Sequence, residues 1–295
     1  MQMDSQSFAL AGRPVGRVGF GAMQLPGPGV FGPPKDHDQA IAVLRRAVAA
    51  GVNHIDTAQF YGPDVANELI REALAPYPED LVLVSKVGAA RDEAGGWLPA
   101  QRPVELRSGV QANLQSLQVE QVPVVNLRRF EGSDVPFAEQ LDAMVAMREE
   151  GLIGGVGLSN VSLEQYRAAR SRTEVACVQN AYNAAQRSDQ PVFDACAADG
   201  VPYVPFFPLG SAFAADNPVL GAPAVRRPAG RLGVTPVRVA LAWLLALAPN
   251  VLLIPGTSSL AHLEENLAAA RTTLDQAALD DLDHVQPASW GQHSA

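Results

Sequence analysis

At 295 residues with 47% apolar side chains, the chain can bury one large core, and a single barrel of this size is ordinary. The formal net charge of −9, with basic residues scattered rather than in runs, argues against nucleic acid or an anionic membrane as a main partner. Two cysteines, Cys177 and Cys196, form no CxxC and match no metal spacing, so buried free thiols, no metal and a reducing compartment are expected.

The first residues, MQMDSQSFAL, lack the basic flank and long apolar stretch of a signal peptide. Residues 7–10 and 15–17, joined by a turn at 11–13, read as a small hairpin. Residues 18–21 form a first strand. A Gly/Pro-rich loop over 26–34 leads to a helix over 36–50, and Gly51 suits the left-handed position that ends it. The alternation continues with strand 52–57, helix 65–75, strand 81–86, loop 87–102 and helix 103–117. Strand 122–127, helix 136–150, strand 153–158 and helix 162–171 follow. Strand 175–179, helix 190–199, strand 202–206 and a long loop come next. Helices near 221–232 and 236–247, strand 251–254 and helix 259–270 complete the series, and a helix over 275–284 is appended. The longest apolar run, 239–248, is too short to span a bilayer. A cytoplasmic protein with no membrane partner is expected.

Apolar strands separated by helical patterns mean a parallel sheet covered on the outside. Eight consecutive units favour closure over a doubly wound sheet. The predicted fold class is α/β, a (β/α)8 TIM barrel with an N-terminal β-hairpin and an extra C-terminal helix. Its active site belongs at the C-terminal ends of the strands. No linker or composition shift divides the chain, so 1–295 reads as one domain.

Charged residues at strand ends then fall together. Asp56 ends the second strand and Lys86 the third, on the face of Val82 and Val84. Arg128 follows the fourth, on the face of Val124 and Asn126. Neighbouring strands lie about 4.8 Å apart, so these three converge at the mouth, with Tyr61 on the loop beside them. An Asp–Lys pair satisfies two charges that are costly to bury alone. Positive charge beside a phenol favours its ionised form, which makes Tyr61 a proton donor or acceptor usable near neutral pH. A structural ion-pair network at the rim is the competing reading. His54, on the face of Asp56, reads as a hydrogen-bonded supporting residue rather than a ligand. Phe31 and Trp97 sit on loops at this end, where they either pack the loops or cover an aromatic substrate. Trp243 lies within an apolar helix and reads as core.

The chain also resembles a family, the aldo-keto reductases, over about residues 19–266. The resemblance rests on GFGAMQL (19–25), GVNHIDTAQFYG (51–62), LVSKVG (83–88), GVGLSN (155–160), VQNAYN (178–183), FFPLG (206–210) and IPGTSSLAHLEEN (254–266). It implies that Asp56, Tyr61 and Lys86 are catalytic, with Tyr61 the general acid of carbonyl reduction, and that the cofactor is NADP(H). Ser159, Asn160 and Gln179 would bind the nicotinamide carboxamide, and Phe206 would stack on its ring. Gly21, Ala22, Met23 and Asp56 would also border the cofactor. Pro208, Leu209, Gly210 and Ser211, with Gly256, Thr257 and Ser258, would line phosphates and ribose, and Glu265 and Asn266 the adenine. His262 stands where the family often places a basic residue for a 2′-phosphate.

One departure concerns Arg128, which stands where most members have a histidine. Arginine only donates, so it can hold a carbonyl oxygen but cannot relay a proton. The segments at 21–34, the NLRR run and YVPFFPLG (203–210) look like the branch that contains bacterial pyridoxal reductases, where the arginine is normal. The implied substrate is a small carbonyl compound, with pyridoxal to pyridoxine the implied reaction. Phe31, Trp97, Tyr61 and Arg128 are the expected substrate contacts. Two other functions stay open at this point: a nicotinamide-binding subunit with little turnover, and a biosynthetic enzyme on the same barrel. A monomer or small homo-oligomer is expected.

Overall fold

The structure is a computed structural model that describes residues 7–130, 132–210 and 217–287. Ser7–Leu10 (β1) pairs antiparallel with Arg13–Gly16 (β2) as the expected hairpin. Its two-residue turn places Ala11 and Gly12 at φ 48° and 75°, the left-handed pair that matches strand twist. The barrel then begins with Phe20–Gly21 (β3), His54–Asp56 (β4) and Val82–Val87 (β5). A hairpin of Ala89–Arg91 (β6) and Trp97–Pro99 (β7) follows, then Val122–Arg128 (β8), Ile153–Ser159 (β9) and Val175–Gln179 (β10). β3, β4, β5, β8, β9 and β10 form one parallel sheet, each beside the next.

Two expected strands are reduced to isolated bridges, and those expected over 18–21 and 52–57 are shorter than the sequence suggested. Residues 202–206 and 251–254 contribute isolated parallel bridges rather than ladders: Val178 to Tyr203, Ala181 to Phe206, Tyr203 to Val251, and Leu253 to Val18. Prolines 202, 205, 249 and 255 have no N–H to give to a ladder. The bridges nonetheless close the circle, so eight staves make the barrel. The loop expected over 87–102 contains the β6–β7 hairpin instead. The Asp92 side chain accepts from the Ala94 and Gly96 amides, and Gly95 at φ 85° completes the turn.

The helices fall within about two residues of expectation: His37–Ala49 (α1), Val65–Leu74 (α2), Pro103–Leu117 (α3), Phe137–Glu149 (α4) and Leu163–Arg170 (α5). Gln190–Asp199 (α6), Pro223–Leu232 (α7), Pro236–Leu247 (α8), Leu260–Ala268 (α9) and Gln276–Asp283 (α10) follow. Side-chain caps fix several starts. Asp36 accepts from the Gln39 amide, Ser259 from His262 and Asp275 from Ala278. Among the described residues no single helix is long and apolar enough to cross a membrane. α7 and α8 pass only as a pair bent by 101°, and Val239–Leu244 of α8 is buried.

Strand alternation divides the core in two. Val82 and Val84 of β5 point into the barrel with Val124, Cys177, Val204 and Leu252, and Leu10 and Val15 of the hairpin plug its base. Leu83, Val87, Val125, Leu127, Val156 and Leu158 face the helices. Each such side chain contributes roughly 1.5–3 kcal/mol when buried, which offsets the cost of the polar groups above them.

His54 is one of those polar groups. Its ring fills the space over Gly19, where a Cβ would lie 2.2 Å from Nε2. Burial lowers its pKa to about 4, only partly opposed by the Leu253 backbone. Between pH 4 and 6.5 the unfolded chain therefore holds a proton that the folded chain refuses, so stability rises with pH through that window. The unfolding free energy is expected to be about 2 kcal/mol lower at pH 5 than at pH 7 from this group alone. Urea unfolding of His54→Gln should show that increment removed. An unchanged difference between the two pH values would assign it elsewhere.

Candidate active site

Three strands deliver the chemistry to the barrel mouth. In β4 and β5, Asp56 is in register with Val84, and Lys86 two residues on is in register with Asn126 of β8. Arg128 of β8 is in register with Ser159 of β9, and Ser159 with Gln179 of β10. The stagger carries Asp56, Lys86, Arg128, Ser159 and Gln179 inward at the carboxyl ends. Below them Asn126 crosses the interior and accepts from Cys177 Sγ at 3.2 Å. A Cβ at Gly157 would collide with Asn126 Oδ1 at 1.9 Å, so only glycine admits it.

Lys86 and Asp56 form a buried ion pair, and Lys86 Nζ also donates to the Thr57 carbonyl at 3.0 Å. Gln179 Nε2 donates to the other Asp56 oxygen at 2.8 Å. Burial acts to lower the Lys86 pKa, but Asp56 and Tyr61 outweigh it and hold the ammonium above the ordinary lysine value. Lys86 Nζ sits 4.9 Å from the centroid of the buried Tyr61 ring. Behind the pair, Thr57, Asn67, Ser85, Asn113 and Ser116 form a hydrogen-bonded network between strands and helices. With Thr57 fixed, its carbonyl is fixed for Lys86.

Arg128 is 9% exposed and its Nε has no partner among the described residues. Burial lowers its pKa, and Tyr61 and Asp56 oppose this. Among the described residues it forms no salt bridge, and Glu131, three residues further along the loop, lies outside them. Its guanidinium carbon is 6.0 Å from the Trp97 ring and 5.7 Å from that of Phe130. Trp97 meets Phe60 edge-on at 5.7 Å, and Phe60 meets Tyr61 edge-on at 5.4 Å. An aromatic wall therefore runs from Tyr61 to Arg128.

Sequence reasoning missed Arg91, which braces that wall. Its guanidinium stacks 4.1 Å from Trp97 and donates to the carbonyls of Gly29, Val30 and Gly95. It ties the first loop to the β6–β7 hairpin. Phe31 packs its ring on Gly95 and lies 5.4 Å from Arg91, so it holds the hairpin. Gln101 and Gln140 were also missed. Arg129 donates to Gln140, Gln140 to Gln101 at 3.2 Å, and Gln101 to the Arg128 carbonyl at 2.8 Å.

A second group of expected residues gathers where the first and last staves meet. A Cβ at Gly21 would lie 2.4 Å from the Ile254 carbonyl, and one at Gly256 would lie 2.4 Å from that of Gly21. Only glycines permit this approach. Ala22 and Met23 form a short 3-10 turn above it. Thr257 is buried and caps the Ser259 amide through Oγ1, while Ser258 and His262 are exposed at the start of α9. Glu265 and buried Asn266 lie one turn further along α9. Between the two groups sit Ser159, whose buried Oγ has no partner, and exposed Asn160 at φ 57°. Asn160 Nδ2 donates to the Arg129 carbonyl at 3.4 Å. Half-buried Phe206 follows, edge-on to Phe207 at 5.1 Å, and Gly210 closes a turn on the Phe207 carbonyl over Pro208 and Leu209. Ser211 lies outside the described residues.

These residues fit a nicotinamide dinucleotide. A phosphate suits the amides at the N-terminus of α9, and the orphaned Ser159 hydroxyl suits a carboxamide. The class follows from the fold and this mouth together: a barrel oxidoreductase that handles small carbonyl compounds. Residues 17–287 match the model of the Aldo/keto reductase family, and the chain belongs to that family. It is 50% identical over 288 residues to pyridoxine 4-dehydrogenase of Escherichia coli K12, covering 96% of this chain and 99% of that one. It is 38% identical to an uncharacterized oxidoreductase of Schizosaccharomyces pombe, covering 91% and 86%. Among solved structures, an aldo/keto reductase from Klebsiella pneumoniae in complex with NADP and acetate superposes with a TM-score of 0.79. The identity there is 25%, and 97% of each chain is covered. A thermostable aldo-keto reductase bound to epalrestat gives 0.80 at 27% identity, covering 95% of this chain and 99% of that one.

Proposed function

We propose that this enzyme interconverts an aromatic aldehyde and its alcohol with NADP(H), and that pyridoxal and pyridoxine are its couple. The observation that carries this reading is the packing of Tyr61 against the buried Lys86–Asp56 pair at the barrel mouth. NADPH supplies the hydride when bound. Tyr61 is then the general acid that protonates the carbonyl oxygen, and Lys86 favours the phenolate left behind. Asp56 holds Lys86 charged, and Gln179 holds Asp56. Arg128 donates to the oxygen as negative charge develops. Ser159 Oγ and the Gln179 side-chain oxygen would hold the nicotinamide amide, with Asn160 beside them, and Phe206 would stack on the ring. The turn through Pro208, Leu209 and Gly210, together with Gly21–Met23 and Gly256–Ser258, borders phosphates and ribose, and Glu265 and Asn266 the adenine. Trp97 walls the substrate. The E. coli relative's name and identity support the choice of couple. The same reading makes residues 1–295 one domain in a cytoplasmic monomer or small homo-oligomer, with no nucleic-acid or membrane partner. Two free, buried cysteines support a reducing compartment.

The test is NADPH oxidation with a panel of aldehydes, preceded by cofactor titration through nicotinamide fluorescence. Turnover of pyridoxal supports the reading. Tight cofactor binding with no turnover of any aldehyde overturns it. Cofactor choice has its own test. Thr257, Ser258 and His262 offer donors to a 2′-phosphate, and no acidic residue lies in 256–263. His262→Glu is expected to weaken NADPH binding by about tenfold or more and to spare NADH, since a hydrogen bond to a charged group contributes about 1.5–3 kcal/mol. Equal losses for both cofactors in the fluorescence titration would remove His262 from the phosphate site.

A further inference from the structure

Among the described residues, the charges at the mouth do not balance. Asp56 is already engaged by Lys86 and Gln179. Arg128 is more than nine-tenths buried, carries an unpartnered Nε and has no carboxylate partner among the described residues. The rings of Trp97 and Phe130 lie within cation–π range of its guanidinium, leaving its N–H edges as the polar feature on this side of the mouth. A buried guanidinium without an anion is costly, and its fork matches two oxygens side by side. A neutral aldehyde oxygen answers only part of that charge in the ground state.

We propose that Arg128 makes the enzyme selective for aromatic aldehydes bearing an ionised oxygen on the ring carbon next to the carbonyl. One guanidinium fork holds both the carbonyl oxygen and that anionic oxygen. This rests on the reductase reading above and names the substrate class of the same site. The Tyr61–Phe60–Trp97 wall suits a flat ring, and the fork fixes the carbonyl so that its oxygen meets Tyr61. Pyridoxal has such an oxygen in its ring hydroxyl, which ionises easily beside the aldehyde and the pyridinium.

The experiment compares two pairs that differ only in the ring hydroxyl, 3-hydroxypyridine-4-carbaldehyde with pyridine-4-carbaldehyde and salicylaldehyde with benzaldehyde. kcat/KM is measured for the wild type, Arg128→Met and Arg128→Lys, each checked for folding by NADPH titration. Intrinsic aldehyde reactivity cancels when the ratio within a pair is compared between variants. Arg128→Met is expected to lower both hydroxy-to-plain ratios by about 10–100-fold, the range for a hydrogen bond to a charged group. Arg128→Lys should give an intermediate ratio, because a point charge lacks the fork. For the wild type, the salicylaldehyde ratio should rise with pH as its hydroxyl ionises. Equal losses for both members of each pair would overturn the proposal and leave Arg128 acting on the carbonyl alone. No turnover of any of the four by the wild type would instead overturn the reductase reading itself.

Discussion

Tyr61→Phe is expected to lower kcat for aldehyde reduction by at least ~10²-fold while NADPH affinity stays nearly unchanged. Only the phenol hydroxyl is removed, so packing against Phe60 and the approach of Lys86 to the ring survive while the hydroxyl's own interaction with Lys86 is lost. The other expected cofactor residues, at Ser159 and at the junction of Gly21 with Gly256, stand on other staves and keep all their atoms. A general acid acts only in the transition state, so kcat and kcat/KM should fall together. Steady-state kinetics with fluorescence titration of NADPH measures both terms. Turnover near the wild-type rate would remove Tyr61 from the mechanism. A matching loss of NADPH affinity would mean that the substitution had disturbed the mouth instead.

How much of this was legible in the sequence depended on the kind of signal. Asp56, Lys86 and Arg128 were legible because a strand has a period of two and their apolar neighbours fix the inward face. Adjacent parallel strands then had to bring them together. The seventh and eighth staves were read as full strands because their apolar runs resemble the others. Prolines 202, 205, 249 and 255 reduce them to isolated bridges. The β6–β7 hairpin had its signal in the Asp92 turn and the Gly95–Gly96 pair, but its strands are only three residues each. Without that hairpin Arg91 had no visible role, and the packing of the Phe31 ring on Gly95, one of the two roles open to it, had no visible partner. The relay from Arg129 through Gln140 to Gln101 joins residues 11 and 39 positions apart. Such pairing leaves no periodicity, so only coordinates reveal it.

Lys86→Met is expected to lower the unfolding free energy by ~3–5 kcal/mol and to remove at least ~10²-fold of kcat/KM. Lys86 is 2% exposed and Asp56 is equally enclosed, so the variant leaves a carboxylate in the barrel with Gln179 alone to hold it. The Thr57 carbonyl loses its donor as well. The raised Lys86 pKa fixes the pH range of the wild-type contribution. It is complete below the ordinary lysine value of ~10.4 and is lost as pH rises through the higher folded value. At neutral pH the full difference should therefore appear in urea midpoints. The double variant Asp56→Asn/Lys86→Met separates structure from catalysis. Replacing both charges with neutral groups removes the stranded carboxylate, so most of the stability should return. The activity should not return, because the ammonium against the Tyr61 ring, which favours the phenolate after proton transfer, is gone. If the double variant regained activity along with stability, the pair would serve only to hold the barrel mouth together. If it regained neither, the network through Thr57 and Asn67 would be what the lysine supports.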